Sequence, residues 1–179
     1  CQPAGAPRPD PRDPAPAARG SAPGPAGGNP RLSLRRLGAQ PQHENKVSYI
    51  LRCLEDGFPA EIDVWMINNE LWTGHDRPQY SIQESWLKNF NYKLWIHCKN
   101  SDALHYLANP KKGLNCFYHD KDEYTLTSKG YILGNIGAPC KDIVILPELN
   151  NIDIHGCKGA ITDYPQYYKL ATKQIPLSF

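Results

Sequence analysis

From Glu44 onward, apolar and polar positions follow two rhythms that succeed one another along the chain. Val47, Ile50, Leu51 and Leu54 fall at helical spacing and Gly57 follows as a stop, which predicts a helix over 45–56. Ala60 to Met66 reads as a strand, Asn68-Asn69 as a turn, and Leu71-Trp72 as a run into a loop at Gly74-His75-Asp76. Ser81 is placed to cap a helix over 82–89, with Glu84 at the capping-box position. Leu94 to Cys98 reads as a strand, and Ser101 opens a second capped helix through Leu107. Further apolar runs predict strands over 114–118, 131–133, 142–147 and 159–163, with a short helix from Pro165.

Continuous apolar strands alternating with short helices predict an α/β fold with a parallel sheet. An eight-stranded barrel takes about 250 residues and rarely under about 200. The expected architecture is therefore a TIM-type (β/α) barrel that is incomplete or irregular.

Before residue 41 the rhythm is absent. The text is Pro, Ala, Gly and Arg, as in Pro14-Ala15-Pro16-Ala17-Ala18-Arg19-Gly20. Such a segment buries too little apolar surface to offset its ordering entropy. The expected division is a disordered segment over 1–40, with one weak strand-like stretch at 31–38, and a folded domain over 41–179.

Charge narrows the function classes only a little. Charged residues are 21% of the 179 and the net charge is +2, too balanced to argue for nucleic acid or an anionic membrane as partner. No apolar run is long enough for a transmembrane segment. None of the six cysteines forms a CxxC pair, and Cys98 and Cys116 sit inside apolar strands. Free buried thiols are expected rather than a disulfide framework or a zinc cage, which favours a reducing, cytoplasmic compartment.

Candidate chemistry gathers at strand ends. In Glu61-Ile62-Asp63-Val64 the alternation puts Glu61 and Asp63 on one face of a strand. Two acids on an inward face call for a divalent cation such as Mg²⁺ or Ca²⁺, whereas on an edge strand both would simply face solvent. Gly74 permits a tight turn that presents His75, a proton-transfer group near neutral pH or else a surface residue. Lys99 follows Leu94–Cys98 at its carboxyl end, where it suits a phosphate, and His97 shares its face. Glu148 is a candidate third carboxylate, and Asp163 is either a site residue or a helix cap.

In this order the pieces resemble the glycerophosphodiester phosphodiesterase family, in a compact bacterial-like branch. The matching residues are Glu44-Asn45, Glu61 to Trp65, Gly74 to Asp76, Leu94 to Asn100, Leu126 to Ile132, Pro147-Glu148 and Thr162 to Pro165. The resemblance implies a metal-dependent phosphoric diester hydrolase that releases glycerol 3-phosphate and an alcohol from glycerophosphodiesters. It implies Glu61 and Asp63 as metal ligands, with Glu148 or His97 completing the set. It implies His75 as a catalytic histidine, Lys99 on the phosphate and Glu44 lining the site. The family's first catalytic histidine has no counterpart. Arg35 stands at its position, which implies weakened turnover. Two other readings stay open: an inactive relative that binds a metal or a phosphodiester, and a phospholipase-D-like lyase of the same superfold.

Overall fold

The computed structural model describes the backbone of residues 32–36 and the residues 43–165. The expected disorder over 1–30 and the helix from Pro165 lie outside the described residues. Ten strands are described: β1 (Leu32–Arg36), β2 (Ala60–Ile67), β3 (Glu70–Thr73), β4 (Tyr80–Ile82), β5 (Leu94–Cys98), β6 (Asn115–Phe117), β7 (Tyr124–Leu126), β8 (Ile132–Gly134), β9 (Ile143–Ile145) and β10 (Gly159–Thr162). Three helices accompany them: α1 (Val47–Glu55), α2 (Glu84–Asn89) and α3 (Ser101–Leu107).

The expected TIM-type barrel is not what forms. Among the described residues the fold is a mixed α/β sheet that does not close. Seven strands run parallel in the order β6-β5-β2-β1-β10-β9-β8. The two ends of that series, β6 and β8, share no ladder. Closure is prevented locally, because β8 has both edges occupied, by β9 on one side and by antiparallel β7 on the other. The β7–β8 turn docks on β6 instead. Ser128 N–H donates to the Cys116 carbonyl at 2.7 Å, and its Oγ accepts from Cys116 N–H at 2.8 Å and donates to the Leu114 carbonyl at 2.9 Å. One serine thus occupies the place of a strand.

A second departure lies at β2. Its amino-terminal half pairs with β1, and its carboxyl-terminal half pairs with antiparallel β3 across the turn at Asn68-Asn69. Both asparagines have positive φ, 51° and 63°, as a tight two-residue hairpin turn requires. Strand β4 extends the hairpin from β3.

Helices cover only part of the sheet. Ile62, Val64, Ile96 and Cys98 alternate onto one face and are fully buried with Ile50, Leu87 and Leu107 of α1, α2 and α3. Each such aliphatic side chain contributes about 1.5–3 kcal/mol of burial. No α-helix joins β8 to β9 or β9 to β10 among the described residues; a single 3-10 turn at Pro147–Leu149 follows β9, and Val144 and Ala160 pack under Ile154 of the loop before β10. On the opposite face, Trp95, Phe117, Leu133, Ile143, Ile145 and Ile161 form one cluster. Trp95 is on β5 and Ile161 on β10, with β2 and β1 between them, so the sheet curls over this face.

The helix starts differ from their expected caps. Ser81 lies in β4, and the residue before α2 is Gln83, whose side chain makes no capping bond. Glu84 instead reaches Lys112 at 2.8 Å, Lys88 at 2.6 Å and the Tyr106 hydroxyl, tying α2 to α3 and the turn after it. Before α3 the cap is Asn100, which accepts from Ala103 N–H at 3.0 Å.

Hydrogen bonds from Lys112, Lys88 and Tyr106 hold the Glu84 carboxyl down at about 2. A depressed carboxyl stabilises the fold above its unfolded value and loses that contribution as pH falls through the folded one. Glu84→Gln is therefore expected to destabilise the protein at pH 7, with the gap to the parent closing between about pH 4.5 and pH 2. Urea titrations across that range check it. Ser128→Ala is expected to cost about 1 kcal/mol in the same assay, because a backbone donor and acceptor each lose a partner.

Candidate metal centre

Strand β2 carries the acids where three other strands hold it, not on an edge. Glu61 and Asp63 are 8% and 3% exposed, on the face away from the helices. Register sets Asp63 beside His97 of β5. His97 Nδ1 lies 3.0 Å from Asp63 Oδ1 and 3.9 Å from Glu61 Oε1. Lys99 Nζ lies 3.3 Å from the same Asp63 oxygen. Lys99 is held in place because its N–H donates to the Val64 carbonyl at 2.8 Å.

Asn45 completes the support of Asp63. Its Nδ2 donates to Asp63 Oδ2 at 2.9 Å and its Oδ1 accepts from Asp63 N–H at 2.9 Å. Asn45 is 1% exposed and sits at φ 62°, a left-handed conformation that asparagine tolerates better than most residues. Thr73 of β3 fixes that turn by donating to the Asn45 carbonyl at 2.7 Å. The turn brings the neighbouring Glu44 to Asp63 and His75, with ligand atoms of the three within 4.8 Å of one another.

His75 enters from the loop after β3. Gly74 has φ 148° and an added Cβ would collide with the Arg77 carbonyl, so only glycine fits this bend. The Trp65 indole N–H donates to the Gly74 carbonyl at 2.6 Å and anchors it. His75 Nδ1 is 2.9 Å from Asp76 Oδ1, and its side chain is 32% exposed.

One residue was not singled out from sequence. His119 follows β6, two positions beyond Phe117, and its ring stacks on His97 at 4.5 Å. Phe117 stacks on the same His97 ring at 5.1 Å. The signal was the alternation itself, since Phe117 and His119 share a face past a strand end. Burial, then the charges of His97 and Lys99, push the His119 imidazole down to about 4.

Glu148 is placed elsewhere. Leu146 adopts φ 46° and ψ 55°, a conformation rare for a bulky residue, and it turns the chain toward β10. Glu148 Oε1 then accepts from Thr162 Oγ1 at 2.9 Å and Asp163 N–H at 3.0 Å. Burial raises the Glu148 carboxyl above its ordinary value. Neither carboxylate–histidine cluster includes Glu148 or Asp163.

Glu61, Asp63 and His97 form a second trio with ligand atoms within 4.8 Å. Donors around a hard cation at about 2.1 Å stand roughly 3–4 Å apart. The 3.0 and 3.9 Å separations here suit that spacing. The donor set agrees: two carboxylates and an imidazole are ligands that a divalent cation takes. The residues present therefore fit a divalent metal.

Burial alone would push the Asp63 carboxyl up. The His97 hydrogen bond, the charges of Lys99 and His97, and the Asn45 amide outweigh it and hold the group below the usual carboxylate range. Asn45→Ala removes two of these buried contacts and is expected to destabilise the fold by about 2 kcal/mol at neutral pH. The loss should shrink as acid protonates Asp63, since a depressed carboxyl stabilises only above its folded value. Denaturant titrations at neutral and acid pH measure both effects.

The chain matches no family model, no curated protein and no solved structure.

Proposed function

We propose that this chain is a metal-dependent phosphoric diester hydrolase acting on glycerophosphodiesters, with glycerol 3-phosphate and an alcohol as products. One observation carries the reading. Glu61, Asp63 and His97 bring ligand atoms within 4.8 Å on the wall of a pocket that Lys99 and His75 also line.

Glu61, Asp63 and His97 would hold the cation, Mg²⁺ or Ca²⁺, with Glu44 beside them. The bound ion supplies Lewis-acid stabilisation of charge on a phosphoryl oxygen. Lys99 adds a point charge for the same oxygens from its fixed backbone position. His75 is the proton carrier. Asp76 on its Nδ1 orients the ring, leaving Nε2 to pass a proton to the leaving alkoxide as water adds to phosphorus. Asn45 keeps Asp63 ionised and oriented.

A second reading, a relative that binds metal or phosphodiester without turnover, has its own support. Arg35, at the position where the resemblance implies a histidine, pairs with Ala60, the residue before Glu61.

Turnover of glycerophosphocholine with Mg²⁺ or Ca²⁺ separates the two. Hydrolysis is expected to release glycerol 3-phosphate, and His75→Ala is expected to slow it by roughly 10²–10⁴. Metal binding by calorimetry should disappear in Glu61→Gln. Binding without release would establish the second reading, and heat of binding unchanged in Glu61→Gln would remove the site altogether.

A further inference from the structure

Two flanks of the pocket carry polar side chains of different kinds. Glu61, Asp63, His97 and Lys99 come from β2 and the β5 strand with its following residue, and His75 joins them from the loop after β3. Strand β6 borders β5 on the side away from β2, so His119, two positions past β6, is separated from His75 by β5 and β2. Asn135, on the loop after β8, lines the same pocket as His119.

Both of these residues have hydrogen-bonding capacity left over. Asn135 is 8% exposed, and its amide is held in one orientation, because Nδ2 donates to the Asp122 carbonyl and to Thr125 Oγ1 at 3.1 Å. Turning the amide over would set one acceptor against another at Asp122. The atom left over is therefore Oδ1, which is buried and accepts from no group among the described residues. Buried acceptors in native proteins are nearly always paired, and one without a donor is costly. The His119 ring is fixed by its stack on His97 at 4.5 Å. It makes one hydrogen bond to the backbone of Asp120, and an imidazole has a second nitrogen to offer.

A phosphoryl oxygen cannot serve Asn135 Oδ1, since both only accept. A hydroxyl donates to it. A glycerol unit carries two hydroxyls on adjacent carbons, one for the amide oxygen and one for the imidazole. With the phosphoryl group on Lys99 and the carboxylate flank, glycerol on this side leaves the other alcohol toward His75.

We infer that Asn135 and His119 hold the glycerol half of the diester by its hydroxyls and so decide which ester bond breaks. The inference rests on the diesterase reading above, because it orients the substrate in that same site. Water's oxygen ends on phosphorus, the bond from phosphorus to the alcohol beside His75 breaks, and the proton water gives up ends on that alkoxide. Glycerol 3-phosphate remains on the Asn135 side.

The test compares two diesters of equal charge that differ only in two hydroxyls, ethyl glyceryl phosphate and ethyl propyl phosphate, on the Mg²⁺-loaded protein. Calorimetry is expected to show the glyceryl diester binding at least tenfold tighter, as a site built to bond a hydroxyl rejects the analogue lacking it. Asn135→Leu is expected to bring that preference below threefold. His119→Phe, which keeps a ring to stack on His97 and leaves the Asn135 bonds intact, is expected to lower it at least threefold. Phosphorus NMR of the reaction is expected to show glycerol 3-phosphate, and ethyl phosphate as the main product overturns the orientation. Equal binding of the two diesters, or tighter binding of ethyl propyl phosphate, overturns the inference and leaves the diesterase reading standing. A glyceryl preference untouched in both variants overturns the assignment to Asn135 and His119. Binding of neither diester overturns the diesterase reading and the inference together.

Discussion

Two carboxylates buried side by side on β2 impose the arrangement around them. Burial alone would drive Asp63 to its neutral form, yet the carboxyl is held low. His97, Lys99 and Asn45 hold it there, each from a different element. The strand that bears this charge is also the one bonded to three neighbours, β1, β3 and β5. A central, multiply bonded strand fixes the carboxylates relative to His97 by backbone register, which side-chain packing alone would not do. The left-handed turn at Asn45, the Thr73 bond behind it and the Gly74 bend all serve that same acid pair.

Much of this was legible in the residue pattern. The runs at Ala60, Leu94 and Ile143 declared strands because they are apolar and long enough to exclude a surface loop. Alternation placed Glu61 with Asp63, and His97 with Lys99, on shared faces. Asn68-Asn69 announced its hairpin through the residue type that tolerates positive φ. What escaped notice depends on partners outside the element itself. Strands β4 and β7 have three residues each and exist because a neighbour's edge is available. Ser81 and Glu84 satisfy a capping pattern, but Lys112 and Tyr106 compete for the Glu84 carboxylate more strongly than the helix start does. Glu148 was read with the other acids because it follows a strand. The left-handed Leu146 sends it to Thr162 instead.

The barrel expectation failed for a related reason. A parallel series rolls up only if its first and last strands present free edges to each other. Strand β8 gave its free edge to β7, a contact between residues close in the chain that forms at little entropic cost. Helices then became unnecessary over β9 and β10, where a loop covers Val144 and Ala160.

The Ser128 contact has a mechanical meaning. Everywhere else along the parallel series, separating neighbouring strands breaks a ladder of backbone bonds. Between β6 and the β7–β8 turn it breaks the few bonds made by one residue. Local opening favours boundaries held by few bonds, and this is one such boundary. Phe117 and the His97–His119 stack lie on the β6 side of it, and Ile136 lies on the β8 side. Opening along this boundary would part the β6 side of the pocket from its β8 side while the ladders of β2 with β1, β3 and β5 stay made.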